Sequence, residues 1–157
     1  TCAPADLKEL INKTLQPFQI QMELHGIMVQ EDIPEGTMVW CDYRWLLEAL
    51  QNIIKNCIEN ISGNGVIEIT VIDNVLFTEI KFHDSGEGFK KEDLPHLFER
   101  FYRGRDASTA GYGIGMALCK TIITRQGGTI TAKNHPDGGA VFILRFQKHA
   151  EDRLKGD

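Results

Sequence analysis

The sequence lacks several features that would assign it at once to a large class of proteins. Its 157 residues contain no apolar run near the roughly 20 residues that cross a bilayer, and no signal-peptide pattern follows Thr1. We therefore expect no direct membrane contact by this chain. The formal net charge of −5 argues against a dedicated nucleic-acid-binding protein, because neutralising phosphates requires a net basic surface.

Cysteine is scarce, and its spacing fits neither a zinc site nor a redox motif. The four cysteines are Cys2, Cys41, Cys57 and Cys119, and no two of them form a C-x-x-C pair. Cys57 and Cys119 fall within apolar helical patterns, where cysteine usually behaves as a small buried hydrophobic residue. We predict a reducing, cytoplasmic setting without disulfides or structural zinc.

The remaining composition is typical of one soluble globular domain. Hydrophobic residues make up 42% and charged residues 25% of the chain. A chain of this length buries roughly two thirds of the surface that it exposes when unfolded, so it needs no covalent staple. We predict one domain over 1–150, followed by a charged, disordered tail over 151–157.

Hydrophobic periodicity predicts helices that alternate with antiparallel strand pairs. Asp42 is a plausible N-cap for the best-marked helix, whereas Pro17 weakens the second half of the first one. The predicted helices cover 6–24, 43–61, 91–99 and 115–125, and the predicted strands cover 27–33, 65–72, 75–83, 129–132 and 140–146. Antiparallel pairs with helices collected on one face indicate an α+β fold, a two-layer α/β sandwich with a mixed, mostly antiparallel sheet.

The predicted helix over 43–61 carries an unusual polar face. That face consists of Glu48, Asn52, Lys55, Asn56 and Glu59, with Asn60 at its border. Asparagine is a poor helix former, so asparagines at four-residue steps lower the helix propensity. A merely solvated face usually carries lysine and glutamate, and the asparagines therefore indicate a polar function. Their neutral oxygens suit Mg²⁺ that is bound jointly with substrate phosphates.

Two glycine-containing segments lie at element ends. Asp-Ser-Gly-Glu-Gly-Phe over 84–89 follows a strand, and its carboxylate could accept a hydrogen bond from an exocyclic amine such as adenine N6. Gly-Tyr-Gly-Ile-Gly-Met over 111–116 opens a helix, whose free N–H groups favour phosphate. Met116 and Cys119 exclude the dinucleotide and Walker loops. Taken alone, the first segment is more typical of a turn than of a binding site, and the second is as typical of a glycine-rich hinge as of a phosphate-binding segment.

Together, and in this order, the three segments resemble the asparagine box and the two glycine boxes of the ATP-binding catalytic domains of sensor histidine kinases. This family shares its Bergerat-type ATP-binding fold with gyrase, a heat-shock chaperone and MutL. Between the glycine boxes, Leu-Phe-Glu-Arg-Phe-Tyr-Arg over 97–103 resembles the phenylalanine box of the family. The resemblance covers about 6–147 and implies ATP and Mg²⁺ as cofactors.

The resemblance implies roles for individual residues. Asn56 would ligate Mg²⁺, Asn52 would lie near the phosphates, and Asp84 would bind the adenine amino group. Residues 104–110 would form a mobile lid, and no residue of this chain is a certain catalytic group. The implied ATP site comprises Asn52, Lys55, Asn56, Glu59, Asn60, Asp84, Gly86, Gly88, Phe89, Arg100, Tyr102, Arg103, Gly111, Tyr112, Gly113, Ile114, Gly115 and Met116.

Two positions depart from the pattern of the family. Glu59 and Asn60 occupy places where many relatives carry a phosphate-contacting lysine and an aromatic residue that flanks adenine, which predicts weaker nucleotide affinity. Asn52 stands where gyrase, the chaperone and MutL use a glutamate as the general base for ATP hydrolysis. An asparagine cannot take that proton, so the sequence favours phosphoryl transfer over hydrolysis. Glu48 is one turn earlier and is more typical of a solvent-facing residue.

The phosphate acceptor that the resemblance implies is a histidine outside this chain. His25, His83, His96, His135 and His149 are scattered and match no acceptor segment. The implied partners are the dimerisation and histidine-phosphotransfer domain of the same kinase and a response regulator downstream. The implied location is the cytoplasm, in a parent protein anchored in the cell membrane. Two alternatives remain: a serine kinase of the anti-sigma-factor type, and a non-catalytic nucleotide-binding or interaction module.

Overall fold

The computed structural model describes residues 1–100 and 112–148, except for the side chains of residues 112–115. Seven strands and four α-helices occur in these ranges. The strands are β1 (Ala3–Asp6), β2 (Ile27–Asp32), β3 (Met38–Cys41), β4 (Gly65–Asp73), β5 (Phe77–Asp84), β6 (Gly128–Asn134) and β7 (Ala140–Gln147). The helices are α1 (Leu7–Leu15), α2 (Gln19–His25), α3 (Tyr43–Asn60) and α4 (Tyr112–Arg125).

The main sheet has five strands in the order β2-β4-β5-β7-β6. Only the β2–β4 pair is parallel, and the other three pairs are antiparallel. Helix α3 contacts β5 and β7, α4 contacts β6, and the two helices pack against each other. Alternate residues of β5 are buried, which is typical of a strand with one covered face. The predicted two-layer α+β sandwich with a mostly antiparallel sheet is confirmed.

Helix α3 forms the centre of the core, as its periodicity predicts. Asp42 caps it by accepting a hydrogen bond from the backbone N–H of Trp45 at 3.4 Å. Leu46, Leu50 and Ile53 on its apolar face are completely buried. Cys57 and Cys119 are also buried free thiols, which confirms the packing role expected for these two residues. Because its apolar face is fixed against the sheet, the polar face of α3 is held beside the end of β5.

Proline accounts for two of the differences between the observed and the predicted helices. A 3-10 turn at Gln16–Phe18 separates α1 from α2, because Pro17 supplies no N–H for a continuous α-helix. The predicted helix over 91–99 is wrong: this region contains only a 3-10 turn at Leu94–His96 with Pro95 inside it. The last helix begins at Tyr112, rather than at 115, and Gly127 follows its end with a φ of 78°.

The strand pairs agree with the predicted hairpins and add a separate two-stranded sheet. The β4–β5 and β6–β7 hairpins are confirmed, whereas the antiparallel β1–β3 sheet was not predicted. No helix within the described ranges is long and apolar enough to span a membrane. The boundary at 150 and the tail over 151–157 stay predictions, because residues 149–157 lie outside the described part of the chain.

Candidate functional site

Asp84 lies at the centre of the candidate site. It is the last residue of β5, and none of its surface is exposed. Its Oδ1 accepts hydrogen bonds from the backbone N–H groups of Gly86 at 2.9 Å and Ala140 at 3.3 Å. Its Oδ2 accepts one from Asn60 Nδ2 at 3.5 Å. Burial raises the pKa of Asp84 above its usual value, and these hydrogen bonds offset part of that rise.

The asparagines of α3 connect the helix to this carboxylate. Asn60 Nδ2 also donates to Asn56 Oδ1 at 3.2 Å, so one amide nitrogen contacts two site residues. Asn56 is only 3% exposed. The helical pattern placed it on the polar face of α3 but could not predict its burial, because the pattern treats the helix in isolation. In the folded chain the loop after β5 contacts this part of α3, with Glu87 N–H donating to Asn60 O at 3.4 Å.

The other polar residues of α3 are more accessible. Asn52 is half-buried, and Lys55 and Glu59 are exposed one turn apart. Partial desolvation of its carboxyl group raises the pKa of Glu59, and the nearby charge of Lys55 lowers it. Glu48 is exposed, in agreement with the solvent-facing role that its position predicts. Lys55 and Glu59 thus place one charge of each sign beside the asparagines.

The loop after β5 can follow its path only because two of its residues are glycines. A Cβ on Gly86 would overlap the backbone carbonyl of Asn60. Gly88 has a φ of 81°, and a Cβ there would lie 2.6 Å from Asn134 Oδ1. A side chain at Gly86 would therefore push the loop away from α3. The two glycines allow the loop to close over the end of the asparagine helix.

Asn134 holds the far end of this loop, and no sequence pattern pointed to it. Its Oδ1 accepts from Phe89 N–H, and its Nδ2 donates to Phe89 O, both at 2.8 Å. The Phe89 ring is buried edge-on against Phe142, with ring centroids 5.6 Å apart. Phe89 therefore anchors the loop in the core, which adds a packing role to its predicted place in the site.

The turn between β6 and β7 also shapes the site, although no sequence pattern assigned a function to it. Gly139 has a φ of 84°, and a Cβ on it would overlap the carbonyl oxygen of Asp84. The His83 and His135 rings stack with centroids 4.2 Å apart, and His83 Nε2 lies 2.9 Å from Gly138 O. The turn is thus packed directly against the end of β5.

The structure describes some of the remaining predicted site residues in full, others only by their backbone, and the rest not at all. Arg100 is exposed in a turn, and Met116 is buried in the core at 1% exposure. Tyr112, Gly113, Ile114 and Gly115 form the first turn of α4, where a helix offers free N–H groups. Tyr102, Arg103, Gly111 and the predicted lid over 104–110 lie outside the described residues.

A strand-end carboxylate beside an asparagine-bearing helix, in a two-layer α+β sandwich, defines a class of nucleotide-binding ATPase domain. The chain belongs to the family described as histidine kinase-, DNA gyrase B-, and HSP90-like ATPases, whose sequence model matches residues 41–150. This membership confirms the resemblance on which the sequence-based interpretation rests. Nucleotide binding is the property that the family implies for the chain.

Curated relatives narrow the class to sensor kinases. The chain is 29% identical over 147 residues to the signal transduction histidine-protein kinase BaeS of Escherichia coli strain K12, covering 92% of this chain and 32% of BaeS. It is 29% identical over 149 residues to the sensor histidine kinase YclK of Bacillus subtilis strain 168, covering 92% of this chain and 31% of YclK. The chain therefore spans about a third of the length of these relatives.

Solved structures agree over nearly the whole chain. The nucleotide-free catalytic domain of the histidine kinase ThkA matches with a TM-score of 0.83 and 27% identity, covering 97% of this chain and 99% of that one. ThkA in complex with the response regulator protein TrrA matches with a TM-score of 0.78 and 26% identity, covering 96% of this chain and 42% of that one. The fold is that of a histidine kinase catalytic domain.

Proposed function

We propose that this chain binds Mg-ATP and donates the γ-phosphate to a histidine on a separate dimerisation domain of a two-component sensor kinase. The observation that carries the proposal is the buried carboxylate of Asp84, beside the asparagines of α3. Two backbone N–H groups hold Oδ1, so the carboxylate has a fixed orientation. A fixed, buried acceptor discriminates strongly between bases with and without a matching donor.

Base recognition would centre on Asp84 and the loop that follows it. The exocyclic amine of adenine would donate to the carboxylate, and Gly86 and Gly88 would let the base approach the backbone closely. Phe89 and Asn134 would keep that loop in place through the two 2.8 Å hydrogen bonds. Glu59 and Asn60 would border the same region at the end of α3.

The residues present fit a magnesium ion that is carried by the nucleotide phosphates. Asn56 offers a neutral side-chain oxygen, which has a second lone pair beyond the one facing Asn60 at 3.2 Å. Mg²⁺ usually takes one or two protein ligands and completes its octahedron with water and phosphate oxygens. Asn56 would be that protein ligand, and the ion would neutralise charge on the phosphates.

The phosphate-binding part would be assembled from several elements. Asn52 and Lys55 on α3 would face the phosphates from one side. The first turn of α4, formed by residues 112–115, would contribute backbone N–H groups and a favourable helix dipole. Arg100, Tyr102, Arg103, Gly111 and the residues over 104–110 would complete it as a lid.

Phosphoryl transfer fits the site better than ATP hydrolysis does. The half-buried side chain of Asn52 cannot accept a proton from water, and Glu48 is exposed. The chain would therefore act by positioning the nucleotide and neutralising its charge. The acceptor histidine and any acid or base beside it would come from the partner domain, and a response regulator would receive the phosphate. The parent protein would be anchored in the cell membrane, with this domain in the cytoplasm.

Calorimetric titration of the chain with a non-hydrolysable ATP analogue tests the nucleotide site. We expect micromolar binding, on the order of −6 to −8 kcal/mol. Asp84→Asn should weaken it by about ten- to a hundredfold, because the amide presents a donor to the adenine amine. Asn12→Ala, an exposed site on α1, is the matched control and should bind as the parent does.

Phosphotransfer is tested by adding a dimerisation domain from a related kinase together with labelled ATP. Label on its histidine that disappears in Asp84→Asn would support the proposal. A chain that binds nucleotide but labels serine in a candidate partner would support the serine-kinase alternative. A folded chain that binds no nucleotide would rule out the kinase function for this domain and leave the non-catalytic module.

A further inference from the structure

Asn60 is placed to act on the same carboxylate oxygen as a nucleotide base. It is the last residue of α3, and its Nδ2 lies 3.5 Å from Asp84 Oδ2 and 3.2 Å from Asn56 Oδ1. Both neighbours are oxygen acceptors, so the nitrogen of the amide must face them rather than its oxygen. The two N–H groups of Asn60 are therefore directed at the two functional side chains.

The two oxygens of Asp84 have different partners. Backbone N–H groups of Gly86 and Ala140, which are fixed by the loop and by β7, hold Oδ1. The donor on Oδ2 is a side chain, and Asn60 is half-buried, so this bond can break without movement of the main chain. The backbone of Asn60 stays anchored, because its carbonyl accepts from Glu87 N–H. Oδ2 is thus the oxygen with an exchangeable donor.

Asn60 and a 6-amino purine offer the same chemistry to Oδ2. Each presents a neutral N–H donor, and Asp84 is completely buried while Asn60 is in contact with it. We propose that Asn60 is a specificity-determining residue, whose amide occupies Asp84 Oδ2 and is exchanged for the exocyclic amine when an adenine nucleotide binds. The inference rests on the proposed function, since it concerns the base-binding part of the same site.

This exchange has two measurable consequences. Oδ2 has a second lone pair, but Asp84 is completely buried with Asn60 in contact with it, so the proposed approach of an amine to Oδ2 takes the place of the Asn60 amide. Adenine then gains one hydrogen bond at Oδ2 while the protein loses one, so the net gain for an amino purine is small. A 6-oxo purine brings no amine and leaves the Asn60–Asp84 bond intact. Asn60 therefore lowers the affinity for adenine nucleotides. It also lowers the ratio of the affinity for adenine nucleotides to the affinity for 6-oxo purine nucleotides. A purely structural role for Asn60 predicts the opposite, because loosening the carboxylate would weaken adenine binding.

The test compares ADP with inosine diphosphate on the parent chain, Asn60→Ala and Asn60→Ser by calorimetry. We expect Asn60→Ala to bind ADP about three- to tenfold more tightly, the range of one net hydrogen bond, and inosine diphosphate about as the parent does. Asn60→Ser, which is shorter but polar, should shift in the same direction. Asn12→Ala places the same substitution on an exposed part of α1 and should change neither affinity.

The double variant Asn60→Ala/Asp84→Asn separates exchange at the carboxylate from a general effect on the site. The gain for ADP should vanish in the Asp84→Asn background, because the oxygen that both donors share is gone. Unchanged or weaker ADP binding by a folded Asn60→Ala chain would overturn this inference and leave the proposed function standing. A folded parent chain that binds neither nucleotide would overturn both.

Discussion

Asn134 and the backbone of Phe89 form two hydrogen bonds in opposite directions, each 2.8 Å long. The side-chain amide of Asn134 thus pairs with the N–H and the C=O of Phe89, as the backbone of a neighbouring strand would. Asn134 is the last residue of β6, at the edge of the main sheet. The position of the site loop therefore depends on an edge strand whose contacting residue lies 45 positions further along the chain than Phe89.

We predict that Asn134→Ala destabilises the chain by about 1–2 kcal/mol and weakens nucleotide binding, because two hydrogen bonds to one peptide group are lost. Urea unfolding and nucleotide titration measure the two effects. Asn134→Asp should be at least as harmful, since its carboxylate would face Phe89 O without a proton to donate. The neighbouring exposed residue supplies the control, and Lys133→Ala should leave both quantities close to those of the parent.

The turn before β7 provides a matched pair of glycines. Gly138 and Gly139 both have positive φ angles, 105° and 84°, so alanine is strained at either position. A Cβ on Gly138 has no neighbour within 4 Å, whereas a Cβ on Gly139 would overlap Asp84 O. We expect Gly138→Ala to cost about 1–2 kcal/mol through backbone strain alone.

Gly139→Ala should cost clearly more and should also weaken nucleotide binding, because β7 must move away from the end of β5. The measurement is chemical denaturation of both variants, followed by titration at a temperature where both are folded. Equal losses of stability, with nucleotide affinity unchanged in both, would show that the contact between Gly139 and Asp84 has no role in the site.

The sequence predicts best those elements that are specified locally. The apolar face of α3 and its cap at Asp42 need no distant partner, and both were placed correctly. The β1–β3 sheet pairs Ala3 with Cys41, which lie far apart in the sequence. Each of its strands is too short to give a periodic hydrophobic pattern in the sequence. The prediction of a helix over 91–99 was wrong because it did not account for Pro95, whose ring clashes with the preceding turn of an α-helix.

The site follows the same division. Asp84, Asn56 and the loop glycines are recognisable by their order in the chain. Asn134 and Gly139 act through contacts to residues 45 or more positions away, and nothing in their own neighbourhood marks them. The burial of Asn56 likewise depends on the fold around α3 and not on the helix alone, so a helical pattern could not predict it. Tertiary contact determined these three positions.

Asp84 should make the stability of the chain depend on pH. Burial raises its folded-state pKa above the usual 3.8, despite the hydrogen bonds and the charge of His83, which lower it. The buried thiol of Cys57 is a further neighbour, since burial, and after it the charge of Asp84, raises the pKa of this thiol. A raised folded-state pKa means that the stabilising contribution is complete below pH 3.8 and is lost as the pH rises through the folded value.

The side chain that Asp84→Asn introduces carries no charge at any pH, so the variant should not lose this stability as the pH rises. We expect the free energy of unfolding of Asp84→Asn to become larger relative to that of the parent as the pH rises from about 4 toward neutrality, because only the parent loses stability. Urea unfolding of both chains across this range measures the difference. A difference that is constant with pH would mean that the carboxylate is not destabilised by burial in the folded chain.

Asn56 should control the magnesium dependence of nucleotide binding. Asn56 Oδ1 is the oxygen that the proposed site offers to the metal. It also accepts a hydrogen bond from Asn60 Nδ2 at 3.2 Å. We predict that Asn56→Ala binds nucleotide about as the parent does without Mg²⁺, but gains little when Mg²⁺ is added. Asn56→Asp keeps an oxygen ligand and should retain the metal-dependent gain.

Titrations of the three chains with and without Mg²⁺ give this comparison directly. Gln51→Ala is the matched control, because it changes a half-buried amide on the same helix and should keep the metal dependence of the parent. The ratio of the two affinities is the informative quantity, since a general loosening of α3 would lower both and leave the ratio unchanged. An unchanged ratio in Asn56→Ala would place the metal ligand on another residue.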